Sequence, residues 1–171
     1  MRSSALVAGL QRHVGNPIVA AILRSPVHGL LSRSVMLLTL RGRRTGAWHT
    51  VPVGYVAQER ALDVLVANRQ VKAWWRNLEG GAPVELVLRG RTMRATAQAL
   101  TFEREPRAFT LALRNYVARN PHGARLVGIR DVEDVAGLRS VAGTVAMVKV
   151  HPLEPASGSE RMRTWSSRQD G

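Results

Sequence analysis

Apolar and polar residues change rhythm along this chain. Over residues 4–33, Leu6, Val7, Leu10 and Val14 recur at helical spacing. Gly15-Asn16-Pro17 ends that segment and opens another with proline in its first turn, and Ser25-Pro26 repeats the signature ahead of Val27, Leu30 and Leu31. From Val35 the period shortens to that of strands. VMLLTLR, HTVPVGYVA and ALDVLVA follow one another as a meander, PVELVLR and RTMRATAQALT form a hairpin around Arg89-Gly90-Arg91, and GTVAMVKV makes a closing strand. Between them, KAWWRNLEGG (Lys72 to Gly81) reads as a short helical turn closed by glycines. Glu103 to Ala118 reads as a helix with Phe109, Leu113, Tyr116 and Val117 on one side, and RDVEDVAGLRS as a further short helix. Glu103 and Glu105 read as first-turn acids favoured by the helix dipole.

This order predicts an α+β protein: a small split or strongly curled barrel of about six antiparallel strands, with N-terminal and flanking helices. Residues 1–34 are a helical leader, 35–152 the barrel, and 153–171, rich in Glu, Pro, Ser, Gly and Arg, a mobile tail. Neither GxGxxG nor a Walker pattern is present, which argues against a βαβ nucleotide fold.

Composition narrows the picture. A chain of 171 residues with 45% apolar content can bury one core without staples. It has no cysteine, which excludes disulfides and thiolate metal sites and suits a cytoplasmic setting. No apolar run is long enough to span a bilayer. The formal net charge is +13, almost all of it arginine, with lysine only at Lys72 and Lys149. Such a field draws anionic partners. The basic, amphipathic leader has two readings: it covers one end of its own core, or it lies on an anionic membrane surface.

The most informative stretch is Arg41-Gly42-Arg43-Arg44-Thr45-Gly46, a turn between two apolar strands. Guanidinium groups crowded on one turn repel each other unless an anion sits among them. Glycines let backbone N–H groups approach that anion, arginine forks grip phosphate or carboxylate, and Thr45 adds a hydroxyl. A solvated basic hairpin tip is the plain alternative. Asn68, Arg69 and Lys72 then precede Trp74 and Trp75, and basic groups beside indoles suit a flat conjugated ligand with an anionic tail. The alternative there is one core tryptophan with the other as its cover, and Asn77 bonding backbone. The five histidines are scattered without metal-ligand spacing, so no metal is assigned. No serine or cysteine nucleophile motif appears, so any catalysis draws its chemistry from a cofactor. A nucleic-acid-binding barrel is disfavoured, because the aromatics cluster near one loop instead of interleaving with basic residues along a strand face.

LLTLRGRRTGAWHTVPVGYV, the strand into ANRQ, and AWWRNLEGGAPVELVLRGR together resemble the deazaflavin (F420)-dependent nitroreductase and quinone reductase family, a branch of the flavin/deazaflavin oxidoreductases with a split β-barrel. The resemblance runs from about Pro17 through Val150 and rests on a G-R-x-[ST]-G turn followed by W-x-x-N-L. It implies that the arginine turn and the next strand hold the phosphate and glutamate tail of coenzyme F420, a 5-deazaflavin. Arg43, Arg44, Thr45 and Gly46, with Arg41 beside them, fall on that turn; His49, Thr50 and Pro52 on the strand; Asn68 and Arg69 on the next loop; Trp74 on the wall beside the ring. It also implies hydride transfer from the reduced ring to quinone-like, nitroaromatic or other electron-poor conjugated acceptors, by a monomer or a homodimer. Many relatives carry arginine where His49 stands and lysine where Arg44 stands, and the tyrosine-rich C-terminal segment of better-known members is missing. FMN is the alternative cofactor, and a non-catalytic carrier of a flavin-like or hydrophobic ligand, peripheral to a membrane through residues 1–33, is the alternative function. Tyr116, Tyr55 and His49 are unranked candidates for the proton donor.

Overall fold

Alternate residues of the first strand, Met36, Leu38 and Leu40, point into an apolar interior, and that alternation organises the sheet. The computed structural model describes residues 34–129 and 135–153. The leader up to residue 33, the tail from residue 154 and the first part of the RDVEDVAGLRS segment lie outside the described residues. Those described form β1 (Val35–Arg41), β2 (Trp48–Gly54), β3 (Val56–Ala57), β4 (Leu62–Ala67), a 3-10 turn (Trp74–Leu78), β5 (Ala82–Leu88), β6 (Arg91–Leu100), α1 (Pro106–Arg119), α2 (Pro121–Leu126), α3 (Val135–Val141) and β7 (Val145–Pro152).

The strands make one antiparallel sheet in the order β2-β1-β5-β6-β7-β4-β3. Tyr55 alone separates β2 from β3, yet these strands are the two opposite edges of the sheet. One residue spans only about 3.5 Å, so the edges must meet and the sheet must curl into a split barrel. Tyr55 is buried in the interior, and its N–H donates to the Ser34 carbonyl at 3.0 Å.

Two expectations are corrected here. The run HTVPVGYVA is not one strand but β2 and β3, which makes seven strands among the described residues. ALDVLVA pairs with the end of that run, β3 with β4 through Val56↔Asp63 and Ala57↔Leu62, but not with β2: its other neighbour is β7, in a register from Leu62↔Val150 to Ala67↔Val145. The cause is the crossover at Tyr55, which delivers the chain to the far edge.

Two cores flank the sheet. The inner one fills the barrel with Leu38, Leu40, Val64, Val66, Leu86 and Val148, all almost fully buried, and the 3-10 turn plugs it with Trp75 and Leu78. Each such side chain contributes about 1.5–3 kcal/mol on burial. The outer core lies where α1 lays Phe109, Ala112, Leu113, Tyr116 and Val117 against Val145 and Met147. Those five helical positions form one stripe at three- and four-residue spacing. Helix α1 starts at Pro106, so Glu103 and Glu105 are not its first-turn acids. Both precede it and bond elsewhere: Glu103 with Arg69, Glu105 with Gln98 Nε2 at 3.1 and 3.2 Å.

Candidate functional site

The β1–β2 hairpin carries the arginine turn. The strands pair from Val35↔Gly54 to Arg41↔Trp48, which leaves residues 42–47 as the loop. Gly42 N–H donates to the Ala47 carbonyl at 2.7 Å, and Gly46 N–H to the Gly42 carbonyl at 2.8 Å. Ala47 N–H donates to Thr45 Oγ1 at 3.2 Å, and Arg41 Nε to the Gly46 carbonyl at 3.1 Å. The backbone of the tip is therefore fixed by its own bonds, while the side chains of Arg43, Arg44 and Thr45 stay exposed.

Two glycines make this geometry possible for different reasons. Gly46 has φ +68°, where L-residues are strained. At Gly42 the constraint is space: a Cβ would stand 2.8 Å from Thr45 Oγ1, 3.1 Å from His49 Nε2 and 3.3 Å from the Ala47 carbonyl oxygen. The hydroxyl of Thr45 and the imidazole of His49 thus close over Gly42, which brings these two sequence candidates together at one point.

The 3-10 turn Trp74–Leu78 abuts this tip. Asn77 Oδ1 accepts the Arg43 N–H at 2.9 Å, and Asn77 Nδ2 donates to the Trp74 carbonyl at 3.0 Å. A longer contact, 3.5 Å, runs from Arg43 Nη1 to the Arg76 carbonyl. Trp74 is half-buried and packs on the barrel interior, while Trp75 is buried with its indole N–H donated to the Arg69 carbonyl at 3.1 Å. One tryptophan is core and the other lies on the core's margin, as the plain reading of the pair has it. Arg44 makes no hydrogen bond or ion pair with any described residue, and Arg43 spends its guanidinium on that one long contact.

Other candidates lie apart from the tip. Arg69 forms a two-pronged pair with Glu103, donates from Nε to the Gly143 carbonyl at 2.9 Å, and lies over Trp75 with its guanidinium carbon 6.0 Å from the ring centroid. Asn68 holds φ +54° at the bend into that loop. Thr50 is buried, its hydroxyl 2.9 Å from that of Thr39 across the β1–β2 ladder, and half-buried Pro52 follows two residues on. Of the proton-donor candidates, Tyr55 is in the inner core and Tyr116 in the outer one, where Asn120 Nδ2 donates to its hydroxyl at 2.9 Å and burial raises its pKa. His49 is exposed beside the tip. Sequence reasoning passed over Trp48, which stands 48% exposed at the base of the same turn, opposite Arg41. An indole carries no charge, so nothing in the basic pattern of the turn marks it.

Among the described residues no cluster of His, Asp or Glu could hold a metal, and no helix is long and apolar enough to cross a membrane.

By fold, then, the chain is a split-barrel protein whose hairpin tip presents exposed guanidinium groups. The sequence model of the F420H(2)-dependent quinone reductase family matches residues 21–130. The chain belongs to that family, whose members are oxidoreductases. No curated protein sequence matches the chain. Solved structures similar to it include the heme storage protein HutZ of Vibrio cholerae, at 15% identity over 77% of this chain and 91% of that one, with a TM-score of 0.43. A pyridoxamine 5′-phosphate oxidase-related FMN-binding protein of Nostoc punctiforme is similar at 12% identity, 80% and 78% coverage and a TM-score of 0.43. The FAD and heme binding protein of Mycobacterium smegmatis is similar at 14% identity, 82% and 77% coverage and a TM-score of 0.40.

The family's name implies use of reduced F420 with a quinone as acceptor. The donor set at the tip suits such a cofactor: two exposed guanidinium groups and a hydroxyl, over a glycine that no side chain could replace without moving Thr45 and His49.

Proposed function

We propose that the arginine turn grips the anionic tail of F420 while Trp74 walls the ring, so that the protein presents the reduced cofactor to a quinone or another electron-poor conjugated acceptor such as a nitroaromatic. One observation carries this reading. Arg43 and Arg44 project exposed guanidinium groups, Arg44 without a bond to any described residue and Arg43 with only the 3.5 Å contact to the Arg76 carbonyl, from a backbone fixed by its own hydrogen bonds, and the same backbone is bonded to the turn that bears Trp74.

F420, when bound, supplies the hydride chemistry. The contribution of the chain is placement. Arg43, Arg44 and Thr45 offer donors to phosphate or carboxylate, charge-assisted bonds being the stronger class. His49 and Gly46 shape the approach of the tail, and half-buried Trp74 gives the ring a wall that excludes water on one side. Holding donor and acceptor in a productive geometry lowers the barrier by about 7–11 kcal/mol in favourable cases.

Titration of the full-length protein with F420, followed by deazaflavin fluorescence and run in parallel with FMN, tests the reading. F420 is expected to bind at about micromolar or tighter, near −8 kcal/mol, and FMN more weakly. FMN binding in preference to F420, or no saturable signal from F420 at tens of micromolar, as order of magnitude, would sink it in favour of a carrier of another ligand.

A further inference from the structure

Asn77 sits between the two halves of the candidate site and touches both through backbone atoms. Its Nδ2 donates to the Trp74 carbonyl, three residues back, which closes the 3-10 turn. Its Oδ1 accepts the N–H of Arg43, 34 residues away at the tip of the β1–β2 hairpin. The hairpin needs no such bond to fold, because Gly42–Ala47 and Gly46–Gly42 bonds already close it. The 3-10 turn needs none either, because Trp75 and Leu78 bury it in the barrel. A part-exposed hydrogen bond of this kind contributes only about 0.5–1.5 kcal/mol to stability. What the bond does fix is the position of Arg43 relative to Trp74.

We propose that Asn77 is a positioning residue: it locks the guanidinium-bearing tip at a set place relative to the Trp74 wall, so that one ligand molecule can occupy both at once. This rests on the functional reading above, in which tail and ring of the cofactor bind at those two places. A ligand with two anchor points gains affinity from both only if their separation matches its own length, so a loosened tip reduces the effective concentration of the second anchor. A fragment that uses one anchor is insensitive to that separation. Both polar atoms of the Asn77 amide are occupied by the two turns, so its effect is exerted through Arg43 and Trp74.

The test compares intact F420 with the deazaflavin ring-and-ribityl fragment that lacks the phosphate and glutamate tail, on full-length wild type, Asn77→Ala and Asn77→Ser. Serine keeps a polar group but is too short to span to Arg43. In both variants F420 is expected to bind about tenfold more weakly or worse, about 1.4 kcal/mol, while the fragment changes by less than about threefold. Amide hydrogen exchange at Arg43, read without any ligand, is expected to speed up by about tenfold in both variants while the core amides of β1 keep their protection. Equal losses for F420 and the fragment, or unchanged F420 affinity, would overturn the proposal, as would unchanged exchange at Arg43. Should wild type bind neither ligand, the functional reading falls, and the exchange rate at Arg43 still decides whether the tether exists.

Discussion

Arg69 and Glu103, 34 residues apart in the chain, form a two-pronged guanidinium–carboxylate pair that ties the loop after β4 to the segment before α1. The same guanidinium lies over Trp75 and bonds the Gly143 carbonyl. Its donors are thus engaged by the protein itself, so this basic residue beside the indoles acts first on architecture. Arg69→Ala is expected to lower stability in urea by about 1–3 kcal/mol, through lost packing and an unpaired carbonyl. F420 affinity is expected to change by less than about threefold. A variant with wild-type stability and greatly weakened cofactor binding would place Arg69 on the ligand instead.

Arg43 and Arg44 should behave in the opposite way. Both are exposed and neither forms an ion pair with a described residue, so Arg43→Ala with Arg44→Ala is expected to leave the urea midpoint almost unchanged. F420 binding is expected to weaken by about 2–4 kcal/mol, since hydrogen bonds to charged groups contribute roughly 1.5–3 kcal/mol each. The affinity should also fall with added salt in wild type and much less so in the double variant. Unaltered affinity would move the tail site elsewhere.

Gly42→Ala probes the cradle under the tip. Its Cβ would meet Thr45 Oγ1 at 2.8 Å and His49 Nε2 at 3.1 Å, so the hydroxyl and the imidazole must give way. Both side chains are exposed and can swing aside, so the expected loss of stability is small. The larger expected effect is on F420 affinity, a loss of about tenfold or more, because Thr45 and the neighbouring guanidinium groups move together. A Gly42→Ala variant that binds F420 like wild type would separate the turn from the ligand.

Two carboxylates set opposing pH trends. Asp63 is fully buried on β4, with Oδ1 lacking a hydrogen-bond partner, Gln58 Nε2 at 3.0 Å from Oδ2 and Lys149 Nζ at 3.8 Å from Oδ1. Burial raises its pKa, and Lys149 and Gln58 offset only part of that. The folded state therefore holds a proton that the unfolded chain has released, and stability falls as pH rises from the ordinary value of 3.8 to the folded value. Glu103 has its pKa lowered, chiefly by the hydrogen bonds from Arg69. Its contribution is present above 4.5 and is lost as pH falls through the folded value. It is modest, because Glu103 is more than half exposed and solvent screens it. In urea melts from neutral pH down through the carboxylate range, Asp63→Asn should remove the decline towards neutrality, and Glu103→Gln should flatten the loss in acid. Parallel curves for wild type and Asp63→Asn would show that Lys149 fully compensates the buried charge.

Most of the secondary structure was legible because it rests on local pattern. Alternation in VMLLTLR, the 109-113-116-117 stripe and glycines after Leu78 each declare an element within a few residues. The strand order was not legible. Nothing in HTVPVGYVA marks Tyr55 as the place where the chain passes from one edge of the sheet to the other, because the partner that β4 then meets, β7, lies some eighty residues later. The candidate site divides along the same line. The arginine turn is a local feature and stood out at once. The engagement of Arg69 by Glu103 and Gly143, and the bond from Asn77 to Arg43, depend on partners brought together only by the closed barrel.

β7 lies inside the sheet, between β6 and β4, although it is the last of the described strands. Until it arrives, β4 and β6 expose two rows of unpaired backbone groups, and both cores lack a wall that Val145, Met147 and Val148 provide. A nascent chain that has reached only Gly143 thus carries the arginine hairpin complete and the barrel open. Such a chain can acquire the tip's local shape early, but the fixed spacing between that tip and the indole wall must wait for the keystone to be set.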